Sequence, residues 1–537
     1  MLKNQKLVDT FTFLLLITSL VWLKEINFLF YNSAKSPDYS EYLVYFKHFA
    51  NPDFVTGREH GLMYYYLQYF NFFQQYNSIS FSEVFMHKSI QEVNFWIYIY
   101  GLLGYFCLLK LYKFENSTIF ITFLFLNFFP ISIVLRLVLK PEILAFSLLP
   151  WILFCIENYK LKKETLYLYL SIPLFVSCIT LKGNILGIIC VYLLLTNLNI
   201  FSKIKKIHIF IIFLLTTTLF LAVSFENSSA NEKNILDVQS GATKRDNYDY
   251  KAPYSIVYKV NIYNLVTSPI KHYHADSFVG ITLLETSGDY FDLYWNSDSS
   301  NYSKGRKEII RFETSNEIKK PKFDKVSNSL VVYTQKDADL YLRRSVGLII
   351  SMIFYFLLFK TIFKNSEYRK YTTAFIVGGI LLVVHAITGF PVNNFDPNVG
   401  DTFKPHYYSF LFLLSTIFFI ASNIKENKKS IFFIIIYIFI MLFLLGFPKK
   451  GTEDLNENIS NFIEYSDFCN LENNIYKNKY GIGNVDCFDS KVSLNMVNST
   501  NKYFGDSFTF KFWNILLIFS SIASSIFITI HRRYLKQ

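Results

Sequence analysis

Long apolar runs broken by short, lysine-rich polar segments set the rhythm of this chain. A run of roughly 17–25 apolar residues is long enough to cross a hydrocarbon core as a helix. Read this way, the sequence predicts helices over Thr10–Leu23, Val93–Tyr112, Thr118–Val138, Ile143–Ile156, Leu166–Leu181 and Ile185–Leu198. His208–Phe225, Ser345–Phe363, Thr372–Phe390, Tyr407–Ala421, Ile431–Phe447 and Phe512–Ile530 follow. Thr10–Leu23 is short and extends toward Phe30 through Lys24 and Glu25. The pattern predicts an all-α polytopic membrane protein of about 12 transmembrane helices, with extracytoplasmic loops of mixed structure.

Charge orients these helices. If the N-terminus is cytoplasmic, one set of alternate loops carries Lys3 and Lys6; Lys110 and Lys113; Lys160, Lys162 and Lys163; and Lys203, Lys205 and Lys206. The same set continues with Lys360, Lys364, Arg369 and Lys370; Lys425, Lys428 and Lys429; and Arg532, Arg533 and Lys536. Short basic loops mark the cytoplasmic side. Both termini are therefore expected inside, in a multi-pass protein of a bacterial inner (plasma) membrane. Lys24-Glu25 after the first run reads as an uncleaved helix rather than a signal peptide.

The expected division is an N-terminal transmembrane core over 1–225, including a first outside loop at 24–92; a large extracytoplasmic loop over 226–344; and C-terminal helices over 345–537 with an outside loop at 448–511. Short outside turns fall at Leu135–Glu142 and Gly389–His406.

Composition narrows the class. Charged residues are 18% of the chain, below the usual quarter of a soluble protein, while 52% are hydrophobic, which excludes a disordered chain. The net charge of +12 belongs to the cytoplasmic loops, so no nucleic-acid partner is implied. The abundance of Phe, Ile, Asn, Lys and Tyr also looks like an AT-rich coding bias, which removes functional weight from those counts. No phosphate-cradling G-x-x-x-x-G-K-[ST] occurs, and the cytoplasmic loops are too short for a nucleotide-binding domain. Cys107, Cys155, Cys178 and Cys190 fall inside spans as small apolar packers. Cys469 and Cys487 share the last outside loop, where a disulfide worth roughly 3 kcal/mol is expected, with two free thiols as the alternative. Asn-x-Ser/Thr sequons stand at Asn227, Asn301, Asn458 and Asn498, as an Asn- and Ser-rich chain produces by chance.

Candidate chemistry gathers on the outside. Pro37 opens an amphipathic helix in which Tyr39, Tyr42, Leu43, Phe46 and Phe49 recur at helical spacing, suited to lying along a membrane surface. Asp38 sits at its start, where the helix dipole favours a carboxylate whether or not it has a further role. Arg136 and Lys140 flank Pro141-Glu142, where an Arg136–Glu142 ion pair is the plain structural reading. Lys182 follows the fifth run; Lys404 and His406 precede the tenth; His385 lies inside the ninth. Charges at membrane depth are costly and usually pair or bind something. Their convergence from several loops points to an anionic ligand such as a lipid phosphate.

An acid soon after the first span, an amphipathic helix, and Glu59-His60-Gly61-Leu62 before a Tyr64-Tyr65-Tyr66 run resemble the GT-C glycosyltransferases. More narrowly the pattern is similar to the protein mannosyltransferase and aminoarabinose transferase branch. Arg136…Lys140-Pro-Glu142, Leu181-Lys-Gly183 and Lys404-Pro-His-Tyr407 also resemble family positions, and the likeness covers roughly the first 200 residues best. The chain departs from the branch in having Asp38-Tyr39 where Asp-Glu is usual, and Gly61-Leu62 where Pro-Pro-Leu is usual.

The resemblance implies a GT-C-like fold and transfer of a sugar from a polyprenyl-phosphate donor to a glycan, lipid or protein acceptor at the outer membrane face. One carboxylate can serve such an inverting displacement as base, and the leaving lipid phosphate needs cations. Asp38 is the candidate base. Lys182, Lys404, His60 and Arg136 are candidate phosphate contacts, with Arg58, Glu59 and His406 nearby. No cofactor is implied, although Asp38 with Glu59 could hold a divalent metal. Two rivals stand beside this reading: an O-antigen ligase or polysaccharide polymerase, with its working residues in the late loop, and a transporter or lipid flippase, with interrupted helices and mid-span polar residues.

Overall fold

In the computed structural model, residues 2–29, 42, 44–51, 53–56, 60–76, 83–201, 203–231, 250–251, 257–267, 277–287, 308–313, 322–324, 329–335, 338–364, 367–388, 391–392, 405–445 and 510–534 are described. The N-terminal part holds α1 (Leu2–Leu29), α2 (Val44–Ala50), α3 (Leu62–Tyr76), α4 (Glu83–Leu111) and α5 (Asn116–Phe128). It continues with α6 (Pro130–Leu137), α7 (Glu142–Lys162), α8 (Leu166–Ile179), α9 (Gly183–Phe201) and α10 (Lys206–Asn231). Short helices α11 (Ile262–Thr267) and α12 (Phe278–Ser287) precede α13 (Ala338–Lys364), α14 (Arg369–Thr372) and α15 (Ala374–Thr388). A 3-10 turn, Pro405–Tyr408, leads into α16 (Ser409–Glu426), and α17 (Ser430–Leu445) and α18 (Phe512–Tyr534) close the chain.

Short strands accompany the helices. β1 (Tyr250–Lys251) pairs antiparallel with β5 (Pro391–Val392). β4 (Ser329–Gln335) lies between a parallel β2 (Glu308–Glu313) and an antiparallel β3 (Lys322–Asp324).

Each of the twelve apolar runs is mostly helical in its described part, the third divided between two helices. Among the described residues, eight helices are long and apolar enough to cross a membrane, or nine if one bent pair is a single span. The helices of 166–179 and 430–442 are apolar but shorter. Burial sorts them into centre and rim. The apolar stretch of α7 is 94% buried and that of α10 only 11%, so α7 is a core helix while α10 turns its hydrocarbon side chains outward, as a lipid-facing span does.

The local chemistry of α7 explains its bounds. Glu142 stands in its first turn, Lys160 and Lys162 in its last, each matched to the helix dipole. Lys163 ends it in the left-handed region at φ 61°. α7 packs chiefly against α4 and α8. Gly104 permits the approach to α4, since a Cβ there would lie 2.9 Å from Pro150 and Trp151.

The third run is not one straight helix. Pro130 has no N–H to continue the ladder, and Phe129 before it is extended at φ −77° and ψ 124°, as the residue preceding a proline prefers. α5 and α6 therefore meet at 66°. The break leaves carbonyls at the end of α5 without helical donors. Arg136, fully buried, donates to the Asn127 carbonyl at 2.9 Å and lies 4.7 Å over the Tyr98 ring. Tyr98 in turn donates to Asn127 Oδ1 at 2.9 Å, and Asn127 Nδ2 to Ser19 at 2.8 Å, which ties the break to α4 and α1.

The helix expected to lie along a membrane surface has another role. In its described part, Tyr42, Tyr45, Phe46 and Phe49 are buried, and Tyr45 stacks on Tyr65 of α3 at 4.1 Å with parallel rings. Its aromatic face meets the Tyr64–Tyr66 run rather than lipid. Asn227 is also buried: its Oδ1 receives the Leu62 amide at 3.3 Å, so this sequon serves as a cap for α3. Cys107, Cys155, Cys178 and Cys190 are free thiols within helices.

Candidate functional site

The site gathers at the end of the bundle where α3 and α7 begin and α6 and α8 finish. Its frame is backbone. The Gly61 amide donates to the Leu181 carbonyl at 2.9 Å. A Cβ at Gly61 would land on the Thr180 carbonyl oxygen, with the Thr180 carbon 3.0 Å and Asn227 Nδ2 3.2 Å away. Only glycine allows the 60–62 segment to lie against the turn that carries Lys182. From the other side, Asn94 Nδ2 donates to the carbonyls of Arg136 at 3.1 Å and Val138 at 2.8 Å. Asn94 Oδ1 accepts from Tyr64 at 2.8 Å and Gln68 at 2.9 Å. These bonds fix the turn that carries Lys140 and Glu142 and tie it to α3.

On this frame the charged groups meet. Lys182 Nζ lies 3.2 Å from Glu142 Oε1, and 4.1 Å over the Tyr407 ring. Glu142 is fully buried and the Lys182 side chain is only 12% exposed, so water does little to screen the pair. The second carboxylate oxygen, Oε2, is buried with no hydrogen-bond partner. Lys140, also buried, donates to the Tyr42 hydroxyl at 3.4 Å. Tyr42 links it to His60, whose ring centre is 5.0 Å away. His60 Nδ1 lies 2.8 Å from the Tyr65 hydroxyl, and the His60 amide donates to the Tyr45 hydroxyl at 2.9 Å.

A small cleft adjoins this cluster, lined by Ile131, Val134, Leu135 and Val138 together with Lys140, Glu142, Glu285 and Ser409. It has room for little more than a water molecule.

Of the residues singled out in the sequence, Lys182 and His60 are at this cluster. Arg136 is not: its guanidinium points to the helix break and bonds Asn127 and Ser132, and Glu142, its expected partner, pairs with Lys182 instead. Asp38, Arg58, Glu59, Lys404, Cys469, Cys487 and the sequons at Asn301, Asn458 and Asn498 lie outside the described residues, as do the side chains of His385 and His406. Among the described residues no group of three potential metal ligands converges.

Two cleft residues were not among the candidate site residues. Glu142 read as an ion-pair partner of Arg136 and as part of a turn that resembles family positions, with no role of its own. Glu285 lies in the large 226–344 loop, in a segment that matched no motif; the apolar run before it on α12, Phe278–Leu284, was the one sign that this part of the loop enters the core.

A second polar cluster lies at the opposite end of α7. Glu157 is paired with Lys370 at 2.6 Å and Lys160 at 2.8 Å, and accepts from Tyr112 at 3.0 Å. Burial holds Lys370 down to about 8, outweighing the upward pull of Glu157. The cluster fastens α14 to α4 and α7. Compared with known protein families, curated proteins and solved structures, the chain matches none.

Proposed function

We propose that this protein is a membrane glycosyltransferase that moves a sugar from a polyprenyl-phosphate donor to an acceptor at the outer face of the membrane. The observation that carries the reading is the buried Glu142–Lys182 pair, with Glu142 and Lys140 lining a small cleft beside Ile131, Val134, Leu135 and Val138. Buried charge inside a membrane protein is costly to keep and marks a binding or transfer site more often than a structural one. A lipid phosphate offers what the cleft asks for: an anionic head for Lys182 and Lys140, and hydrocarbon for Ile131, Val134 and Leu135. The likeness of the first 200 residues to GT-C enzymes agrees with this, and gives Asp38 as base and Lys404 as a further phosphate contact. The basic loops favour a cleft end outside and both termini in the cytoplasm.

The reaction needs few groups. A nucleophile of the acceptor attacks the anomeric carbon, a carboxylate takes its proton, and lysine ammonium groups lower the energy of the departing phosphate as its charge develops. The test is release of polyprenyl phosphate from a panel of polyprenyl-phosphate-linked hexoses and pentoses, with envelope extract as acceptor. Wild type releases the lipid phosphate from at least one donor; Lys182→Gln binds polyprenyl phosphate more weakly and turns over more slowly, because Lys182 touches the phosphate in both ground and transition states. No release from any donor refutes the reading.

The helix break at Phe129–Pro130 favours one other reading, a lipid transporter built on an interrupted helix. Movement of a labelled polyprenyl-phosphate-linked sugar across vesicles, with the sugar–phosphate bond intact, would decide for it.

A further inference from the structure

Glu142 holds one oxygen that no described group uses. Oε1 belongs to Lys182 at 3.2 Å, while Oε2 is buried without a partner at the cleft. An acceptor left bare in the interior loses its hydration without return, and more so when charged, so native proteins rarely keep one. Glu142 stands in the first turn of the 21-residue α7, with the Lys182 ammonium on Oε1. The carboxyl group thus has one oxygen engaged and one open. Glu142 lines a cleft that admits a group about the size of a water molecule, which is the size of a hydroxyl or an amine.

We propose that Glu142 Oε2 receives the proton of the acceptor nucleophile, a hydroxyl or amine, during sugar transfer; this rests on the transferase reading above. In the step, a lone pair of the acceptor oxygen or nitrogen forms the bond to the anomeric carbon. The bond from that carbon to the phosphate oxygen breaks, and its electron pair leaves on the polyprenyl phosphate. The acceptor's proton passes to Oε2, which makes Glu142 a neutral carboxylic acid, and is returned to water when product leaves. The acceptor becomes acidic only as its new bond forms, so its proton moves in the same step. Neutralising Glu142 also releases the charge of Lys182, 3.2 Å away, for the phosphate at the moment that phosphate departs. The step gives Glu142 the role that the family resemblance assigns to Asp38.

The experiment uses the full chain in lipid nanodiscs. Release of polyprenyl phosphate from the donor panel is measured for wild type, Glu142→Gln, Glu142→Ala and Asp38→Asn, beside binding of unlabelled polyprenyl phosphate. Glu142→Gln keeps the shape and the bond to Lys182, so lipid-phosphate binding stays within about threefold of wild type while turnover falls about 10²–10⁴-fold with little change in KM. Glu142→Ala opens space for a small carboxylate, and added formate restores turnover at least about tenfold, which a structural role would not allow. If wild type releases lipid phosphate and Glu142→Gln does so at a similar rate, or Glu142→Ala is folded but formate does not help it, the assignment of Glu142 fails and the transferase reading stands. If wild type itself releases nothing, the transferase reading fails first.

Discussion

The close approach of Gly61 to the Thr180–Leu181 backbone is the joint that brings the two halves of the cleft frame together, and Gly61→Ala tests it. The new methyl carbon would coincide with the Thr180 carbonyl oxygen, with the Thr180 carbon 3.0 Å and Asn227 Nδ2 3.2 Å away. A backbone carbonyl cannot rotate aside as a side-chain tip can, so the stretch of chain carrying His60 must back off by more than an ångström. That movement breaks the Gly61–Leu181 hydrogen bond of 2.9 Å and loosens the Leu62–Asn227 hydrogen bond of 3.3 Å. Each of these hydrogen bonds is worth about 0.5–1.5 kcal/mol net, and overpacking adds about 1–3 kcal/mol, so the variant should be less stable by about 2–6 kcal/mol. Gly187→Ala is the control: nothing lies within 4 Å of its Cβ, and the residue is inside α9, so the change is neutral or stabilising by up to about 1 kcal/mol. Thermal melting of the purified protein, read beside polyprenyl-phosphate binding, distinguishes the two. The reasoning fails if Gly61→Ala melts with wild type and binds the lipid phosphate as well, or if Gly187→Ala does the same damage.

Arg136→Ala removes the donor to Asn127 and the cation over Tyr98, and should lower stability by about 2–4 kcal/mol without changing lipid-phosphate affinity in the folded fraction; a selective loss of affinity would put Arg136 back in the site. Lys370, held down to about 8, loses its proton in the folded protein before it does in the unfolded chain, where its value is the ordinary 10.5. The penalty for burying its charge is present in full below pH 8 and is relieved as pH rises toward 10.5, so the stability of wild type relative to Lys370→Met should increase across that window. Melting curves of both proteins through the window check this, and a difference that shrinks would show that the Glu157 ion pair governs instead.

The apolar runs were legible because a membrane demands length and hydrophobicity, and both are written in the chain: each run from Thr10–Leu23 to Phe512–Ile530 is mostly helical in its described part, and among the described residues eight helices, or nine with the bent pair, are long enough to span. The bend was missed although Pro130 stands in the sequence, because hydropathy alone reads Thr118–Val138 as one run whether the helix is straight or folded by 66°. Arg136 misled for the same reason: it stood near Glu142 in sequence, while the bend turned it back toward the carbonyls of α5. Lys182 and His60 were found because charge and imidazole at the ends of apolar runs are unusual at any packing. The Lys182–Glu142 pair depends on a turn 40 residues away being locked by Gly61, a relation between three segments that no single window contains. Glu285 depends on α12 inserting into the bundle from a loop that otherwise carries no pattern.

The most direct measurement is the structure of the protein with a polyprenyl monophosphate bound, solved in nanodiscs. The account predicts phosphate density within about 3 Å of Lys182 Nζ, the distance of a charge-assisted hydrogen bond, with the first prenyl units along Ile131, Val134 and Leu135. Phosphate bound only against the last outside loop, 448–511, with Lys182 still closed on Glu142 and Ile131, Val134 and Leu135 bare, would contradict it.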